Sequence, residues 1–266
     1  MSSAADEGRR VTAVVLDIEG TVGSLTHVRD VLFPYARERL AAWVRRQRGT
    51  DRYAALLRET RRLTGAPHLD EAGVIRALTT WSDEDAKVPP LKSAQALIWA
   101  EGYADGSLHG HVYPEVPTAL ERWGRAGIAR YVYSSGARAA QHDWFAHSNL
   151  GDLTGLLDGY FDLTDAGSKR EADSYRTISR AMGAAPAEIL FFSDVREELD
   201  AAVVAGWQAV GVRRAEDPRG AVIEGHPTVD RLDGIRLTPW GCDGQAVVGL
   251  EEARPGRSLR RGQGQE

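Results

Sequence analysis

Three apolar segments of this chain stop abruptly on acids or hydroxyls, and helical stretches separate them. The first, VTAVVLDI at 11–18, is almost unbroken in aliphatic and β-branched residues, as in a strand covered on both faces of a parallel sheet. It runs into Asp17 and Glu19 and then Gly20-Thr21. The second, IARYVY at 128–133, runs into Ser134-Ser135-Gly136, and the third, EILFFS at 188–193, ends in Ser193-Asp194. A fourth strand is expected over 207–213 (WQAVGVR) and an edge strand near 235–238. Helical segments at 114–126, 137–148, 171–182 and 196–205 alternate with these strands, and a Gly/Asp-rich stretch runs from the second of them to Asp165. Strands alternating with helices specify an α/β fold, a doubly wound, Rossmann-like parallel sheet.

Between Asp30 and Asp105 the pattern changes. Val31, Leu32, Tyr35, Leu40, Trp43 and Val44 fall on one helical stripe with arginines opposite. A second helix is expected with Thr50 or Asp51 as N-cap and Gly65 past its end, and a third over 70–81. A fourth opens on Pro89-Pro90, where proline suits the first turn, and runs through Leu91, Ala94, Leu97 and Ile98. The division that follows is a catalytic core of 1–23 with 112–251, an all-helical insert at 24–111, and a disordered Gly/Arg/Gln-rich tail at 252–266.

A net charge of -5 gives no general attraction to nucleic acid or to an anionic membrane, so neither is expected as a partner. No apolar run approaches the ~20 residues that span a bilayer, and the polar start MSSAADEGRR lacks a signal-peptide core, so a cytoplasmic protein is expected. Cys242 is the single cysteine, which rules out an internal disulfide and a cysteine metal cluster. Of 33 basic residues only Lys87, Lys92 and Lys169 are lysines, and Lys169 lies in a polar loop, where a compact ammonium suits phosphate.

Parallel sheets bind ligands beyond the carboxyl ends of their strands. There this chain places Asp17, Glu19, Ser134, Ser135 and Asp194, with Lys169 in the loop before a helix. Two acids as close as Asp17 and Glu19 repel unless a cation or proton resolves them. The set suits phosphoryl transfer: a carboxylate nucleophile, Mg²⁺ held by acids and carbonyls, and a hydroxyl and an ammonium for the phosphoryl oxygens. Each residue alone has an ordinary explanation. Asp17 would end a strand, the Ser-Ser-Gly run or Asp194 would cap a helix, and Lys169 would be solvated.

In this order the motifs resemble the haloacid-dehalogenase-like hydrolases, and within them the enolase-phosphatases of methionine salvage. The strings are LDIEGT, VRDVLFPYARERL, VYSSG, GSKREADSYR and ILFFSDVREELDAA, between residues 16 and 202. The resemblance implies Mg²⁺-dependent conversion of 2,3-diketo-5-methylthiopentyl-1-phosphate to acireductone and phosphate by enolisation and then dephosphorylation. Asp17 is then nucleophile and metal ligand, and Glu19 a metal-site residue, through its carbonyl, whose side chain is a candidate acid/base. Ser134, Ser135 and Lys169 bind substrate, Asp194 completes the metal site, and the helical insert is a cap. A monomer acting on a small phosphate ester is expected.

Two positions depart from that family's pattern. A second threonine and a nearby proline usually follow DIEGT, where this chain reads Val22-Gly23-Ser24-Leu25-Thr26-His27, and Arg213-Arg214 stands where arginine-proline is usual. The nearest alternative is a relative acting on another phosphate ester. A phospho-signalling receiver domain would carry its phosphoacceptor on a later strand and lacks the insert.

Overall fold

The structure is a computed structural model that describes residues 10–237 and 248–250. Cys242 and the tail expected to be disordered lie outside the described residues.

Six parallel strands form the main sheet: β1 (Ala13–Leu16), β2 (Ala129–Tyr133), β3 (Gly159–Phe161), β4 (Ile189–Ser193), β5 (Gln208–Val212) and β6 (Thr228–Val229). Their order is β3-β2-β1-β4-β5-β6, so the winding reverses between β1 and β4. A ligand crevice opens at such a reversal. The doubly wound α/β architecture read from the sequence is therefore present.

Strand side chains alternate between two hydrophobic layers, as the period of two demands. Val14, Leu16, Leu190 and Phe192 pack with Ala119, Leu120 and Trp123 of α6 (Val116–Arg125) and with Phe145 of α7 (Arg138–Ala146). Val15, Ile189 and Phe191 pack on the other face with Tyr175 and Ile178 of α9 (Ala172–Met182) and Leu199 and Ala202 of α10 (Arg196–Val204). Covering both faces is what made β1 an unbroken apolar run.

The insert is helical among the described residues: α1 (Leu25–His27), α2 (Phe33–Arg46), α3 (Asp51–Thr64), α4 (Glu71–Asp83) and α5 (Pro89–Ala104). The expected caps are in place. Thr50 accepts from Tyr53 N–H, Gly65 ends α3 at φ 65°, and Asp70 accepts from Gly73 N–H. Leu40, Trp43, Val44, Leu56, Val74, Leu78, Leu91 and Ile98 form a hydrophobic cluster distinct from the two that flank the sheet.

Two expectations are corrected, and one stretch without an expected element gains two. Val31 does not share the stripe of Leu32, Leu40, Trp43 and Val44 but is exposed, because Val28–Leu32 is a π-helical turn whose extra residue rotates the stripe. The stretch before Asp165 holds β3 and a short helix, α8 (Leu163–Ala166). The strand near 235–238 exists as β7 (Ile235–Leu237), but it pairs antiparallel with β8 (Val248–Leu250), and the edge of the main sheet is β6.

Candidate active site

β1 ends beside β2 and β4 in register, with Leu16 opposite both Val132 and Phe192. The next residues of all three strands therefore converge: Asp17, Ser134 and Asp194. Asp17 is buried, its N–H donating to Phe192 O at 3.0 Å. The chain then turns tightly, and Ile18 O accepts from the N–H groups of Thr21 (3.2 Å), Val22 (3.0 Å) and Gly23 (2.8 Å). Gly20 makes this turn at φ 75°, and a Cβ there would stand 2.5 Å from Asp194 Oδ2. Glycine is required twice over, by backbone and by space.

Lys169 follows α8 and is buried, not solvated. Its carbonyl accepts from Tyr175 OH at 2.7 Å, and Tyr133 OH donates to nearby Gly167 O at 2.9 Å. Its Nζ lies 2.5 Å from Asp17 Oδ1 and 2.7 Å from Glu198 Oε2. Ser193 Oγ donates to the same Glu198 oxygen at 2.9 Å. The sequence did not single out Glu198: one acid of an Arg-Glu-Glu helix start looks like a solvated residue. Its signal is position, one helical turn beyond Asp194.

Asp194 does not cap α10, whose N-cap is Val195 without a side-chain bond. Its Oδ2 pairs with Arg219, while its Oδ1 is buried with no hydrogen-bond partner. Arg219 also binds Asp217 Oδ2 at 2.6 Å. Nor does the Ser-Ser-Gly run cap α7, whose N-cap Ala137 makes no side-chain bond. Ser134 is buried, its Oγ accepting from Gly136 N–H at 3.2 Å, and Ser135 next to it is exposed. Asp17, Lys169 and Asp194 thus come together around the end of β1, with Ser134 on the adjoining strand and Glu19 on the turn.

Asp17, Glu19, Asp194 and Glu198 crowd negative charge at this edge, which Lys169 and Arg219 offset. Burial, opposed by Lys169 and reinforced by Glu198, lifts Asp17 to about 6. Burial and then the charge of Asp17 lift Asp194 to about 6, against Arg219. Lys169 is raised above the usual lysine range by Asp17 and Glu198 despite its burial, so it stays charged. One ammonium between two carboxylates leaves a negative charge uncompensated. Desolvation, then the charges of Asp17 and Asp194, push Glu19 up to about 7. Lys169 and Lys87 oppose the shift, and Lys87 brings charge from the turn between α4 and α5.

A parallel sheet wound in this order, with a buried acid–lysine pair and a second acid at its carboxyl edge, defines a haloacid dehalogenase-like hydrolase, and residues 11–206 match that family's model. The chain belongs to this family and, within it, to the enolase-phosphatases. It is 51% identical over 207 residues to Enolase-phosphatase E1 of Nocardia farcinica, covering 78% of this chain and 89% of that one. It is 46% identical over 218 residues to Enolase-phosphatase E1 of Streptomyces avermitilis, covering 82% and 90%. Among solved structures, the UTR4 protein of Saccharomyces cerevisiae superposes with a TM-score of 0.70 at 28% identity, covering 84% of this chain and 99% of that one.

Proposed function

We propose that this chain is a Mg²⁺-dependent enolase-phosphatase that converts 2,3-diketo-5-methylthiopentyl-1-phosphate to acireductone and phosphate. The observation that carries this reading is the pairing of Lys169 with Asp17 beside an Asp194 oxygen that is buried and unpartnered. Among the described residues no three His, Cys, Asp or Glu side chains gather as a metal site. The donor set fits Mg²⁺ nevertheless. Asp17, Asp194 and the Glu19 carbonyl are hard oxygen donors, and Mg²⁺ keeps several waters when few carboxylates hold it. Bound there, Mg²⁺ would neutralise the acid cluster and polarise the substrate's oxygens.

The residues divide the work as follows. Ser134, Ser135 and Lys169 hold the phosphate oxygens. The ionised Glu19 carboxylate takes the carbon-bound proton and returns it to the enolate oxygen, while the Lys169 ammonium faces the oxyanion that develops in between. Asp17 then attacks phosphorus. An oxygen–phosphorus bond forms to its carboxylate, the ester oxygen–phosphorus bond breaks, and the leaving oxygen takes a proton from Glu19. Burial and the neighbouring Asp17 and Asp194 raise the Glu19 carboxyl, which favours the protonated form that step needs, and once ionised the same carboxylate activates the water that cleaves the acyl phosphate. The helical insert, 24–111, serves as the cap over this crevice, as the reach of Lys87 to Glu19 supports. No helix among the described residues is long and apolar enough to cross a membrane. Cytoplasmic location and a monomeric state remain part of the proposal.

The test is incubation with the diketo phosphate, following the enol chromophore and free phosphate together. Both products in equal amounts, and only with Mg²⁺, are expected. Phosphate without enol, or equal turnover of unrelated esters, would replace this reading with that of a general phosphatase of the same family.

A further inference from the structure

The Arg213-Arg214 pair, which departs from the family's usual arginine-proline, grips two neighbouring strand ends. Arg213 Nη1 donates to Asp194 O at 2.5 Å and lies 3.3 Å from Asp217 Oδ2. Arg214 reaches past β4 to the loop after β1. Its Nε donates to Thr21 O at 2.8 Å, Nη2 donates to the same oxygen, and Nη1 donates to Asp230 O at 3.0 Å. Nη1 also pairs with Glu115 Oε1, and the guanidinium carbon sits 4.0 Å from the Tyr113 ring centroid.

Both partners of this pair are buried, with side chains 5% and 4% exposed. Burying a guanidinium is costly, and well-packed apolar side chains often stabilise a fold better. What Arg214 offers instead is a planar fork that satisfies two carbonyls and a carboxylate at once. Thr21 closes the tight turn begun at Ile18, the turn that carries Glu19 and follows Asp17. Tyr113 and Glu115 belong to the segment by which the chain returns from the helical insert, and Tyr113 N–H donates to Val22 O at 3.0 Å. One side chain therefore joins the outgoing connection, the returning connection and the end of β5.

We propose that Arg214 is a positioning residue, fixing the Asp17–Gly23 turn against β5 and the returning segment so that Glu19 and the cation-binding edge are held in place. It rests on the enolase-phosphatase reading only for the identity of the cation and the substrate. The turn itself can be read without either.

Two variants test it. Arg214→Lys keeps the charge and three N–H donors but gathers them on one atom, without the planar fork that spans Thr21 O, Asp230 O and Glu115. The pair Arg214→Met with Glu115→Gln removes both buried charges and guards against misfolding from a lone acid. Amide hydrogen exchange over 17–24 is measured in chelator, Mg²⁺ binding by calorimetry, and phosphate release by steady-state kinetics. The amides of Thr21, Val22 and Gly23 should exchange faster in both variants. Mg²⁺ affinity and kcat should each fall ~10-fold, as when a residue that orients a metal ligand is lost, with KM held within about twofold. Unchanged exchange and unchanged Mg²⁺ affinity, even with a lowered melting temperature, would overturn the proposal, as would failure of both variants to fold. If the wild-type protein releases no phosphate from the diketo ester, the substrate reading fails while the exchange result still decides the role of Arg214.

Discussion

Glu198 Oε2 lies 2.7 Å from Lys169 Nζ, so the ammonium that faces Asp17 is also held from α10. The pairing allows the part Lys169 plays in the fold to be separated from the phosphate-binding part proposed for it. Lys169→Met leaves two carboxylates buried around an apolar chain and is expected to cost ~3–5 kcal/mol. Adding Glu198→Gln should restore most of that stability and none of the activity. Denaturant unfolding and phosphate release, run on both variants, check this; recovered activity in the double variant would contradict it.

Gly20→Ala should impair stability and activity together. A left-handed backbone costs a non-glycine residue ~1–2 kcal/mol, and the new methyl would press on Asp194 Oδ2. The melting temperature should fall and Mg²⁺-dependent phosphate release should drop by ~10-fold or more, as when a metal ligand's support is lost. A variant with normal Mg²⁺ affinity would show that Asp194 is not constrained by Gly20.

The metal-free protein should lose stability as pH rises through the acid cluster. Asp17 and Asp194 move from 3.8 to about 6, and Glu19 from 4.5 to about 7, so the folded chain binds more protons than the unfolded chain between these values. Their contribution is therefore present below the unfolded values and is lost as pH rises through ~6 to ~7. Surface acids lowered by arginine, such as Glu71 at about 2, lose their contribution below that window. Urea midpoints at pH 5, 6 and 7 in chelator should fall in that order, and saturating Mg²⁺ should flatten the series. A rise with pH in chelator would refute the crowding of negative charge.

Glu19→Gln should separate proton transfer from nucleophilic attack. The amide keeps the size of the side chain but cannot give or take the proton, and losses of ~10²-fold or more are expected for a positioned acid/base. Phosphate release should fall by that amount at pH 7, while Mg²⁺ binding, supported by the Glu19 carbonyl, changes little. Calorimetry on the same sample distinguishes a lost proton carrier from a lost metal site.

The elements that could be read from the sequence are those whose local pattern decides them. β1 and β4 are apolar on both faces, and α3 and α4 carry their own caps at Thr50 and Asp70. β3 and β6, three and two residues long, exist because a neighbouring strand supplies their partners, so their own residues carry little signal. Val31 leaves its expected stripe because periodicity assumes a regular helix, and the π-helical turn at Val28–Leu32 breaks that assumption. At the site, Asp17, Asp194 and Lys169 stood out by following strands or by the scarcity of lysine. Glu198 and Arg219 did not, since what matters about them is a partner 29 residues away in one case and 25 in the other (198 − 169 and 219 − 194).

The covalent route through Asp17 is tested most directly by phosphate release from Asp17→Asn at saturating Mg²⁺, with folding verified by its melting transition. Asparagine is nearly isosteric and relieves the crowded negative charge, so the variant should fold at least as well as the wild type. An amide cannot form the acyl phosphate, and release should fall by ~10³-fold or more, the scale of losing a covalent nucleophile. Phosphate release within a few fold of the wild type would contradict Asp17 as the group that attacks phosphorus.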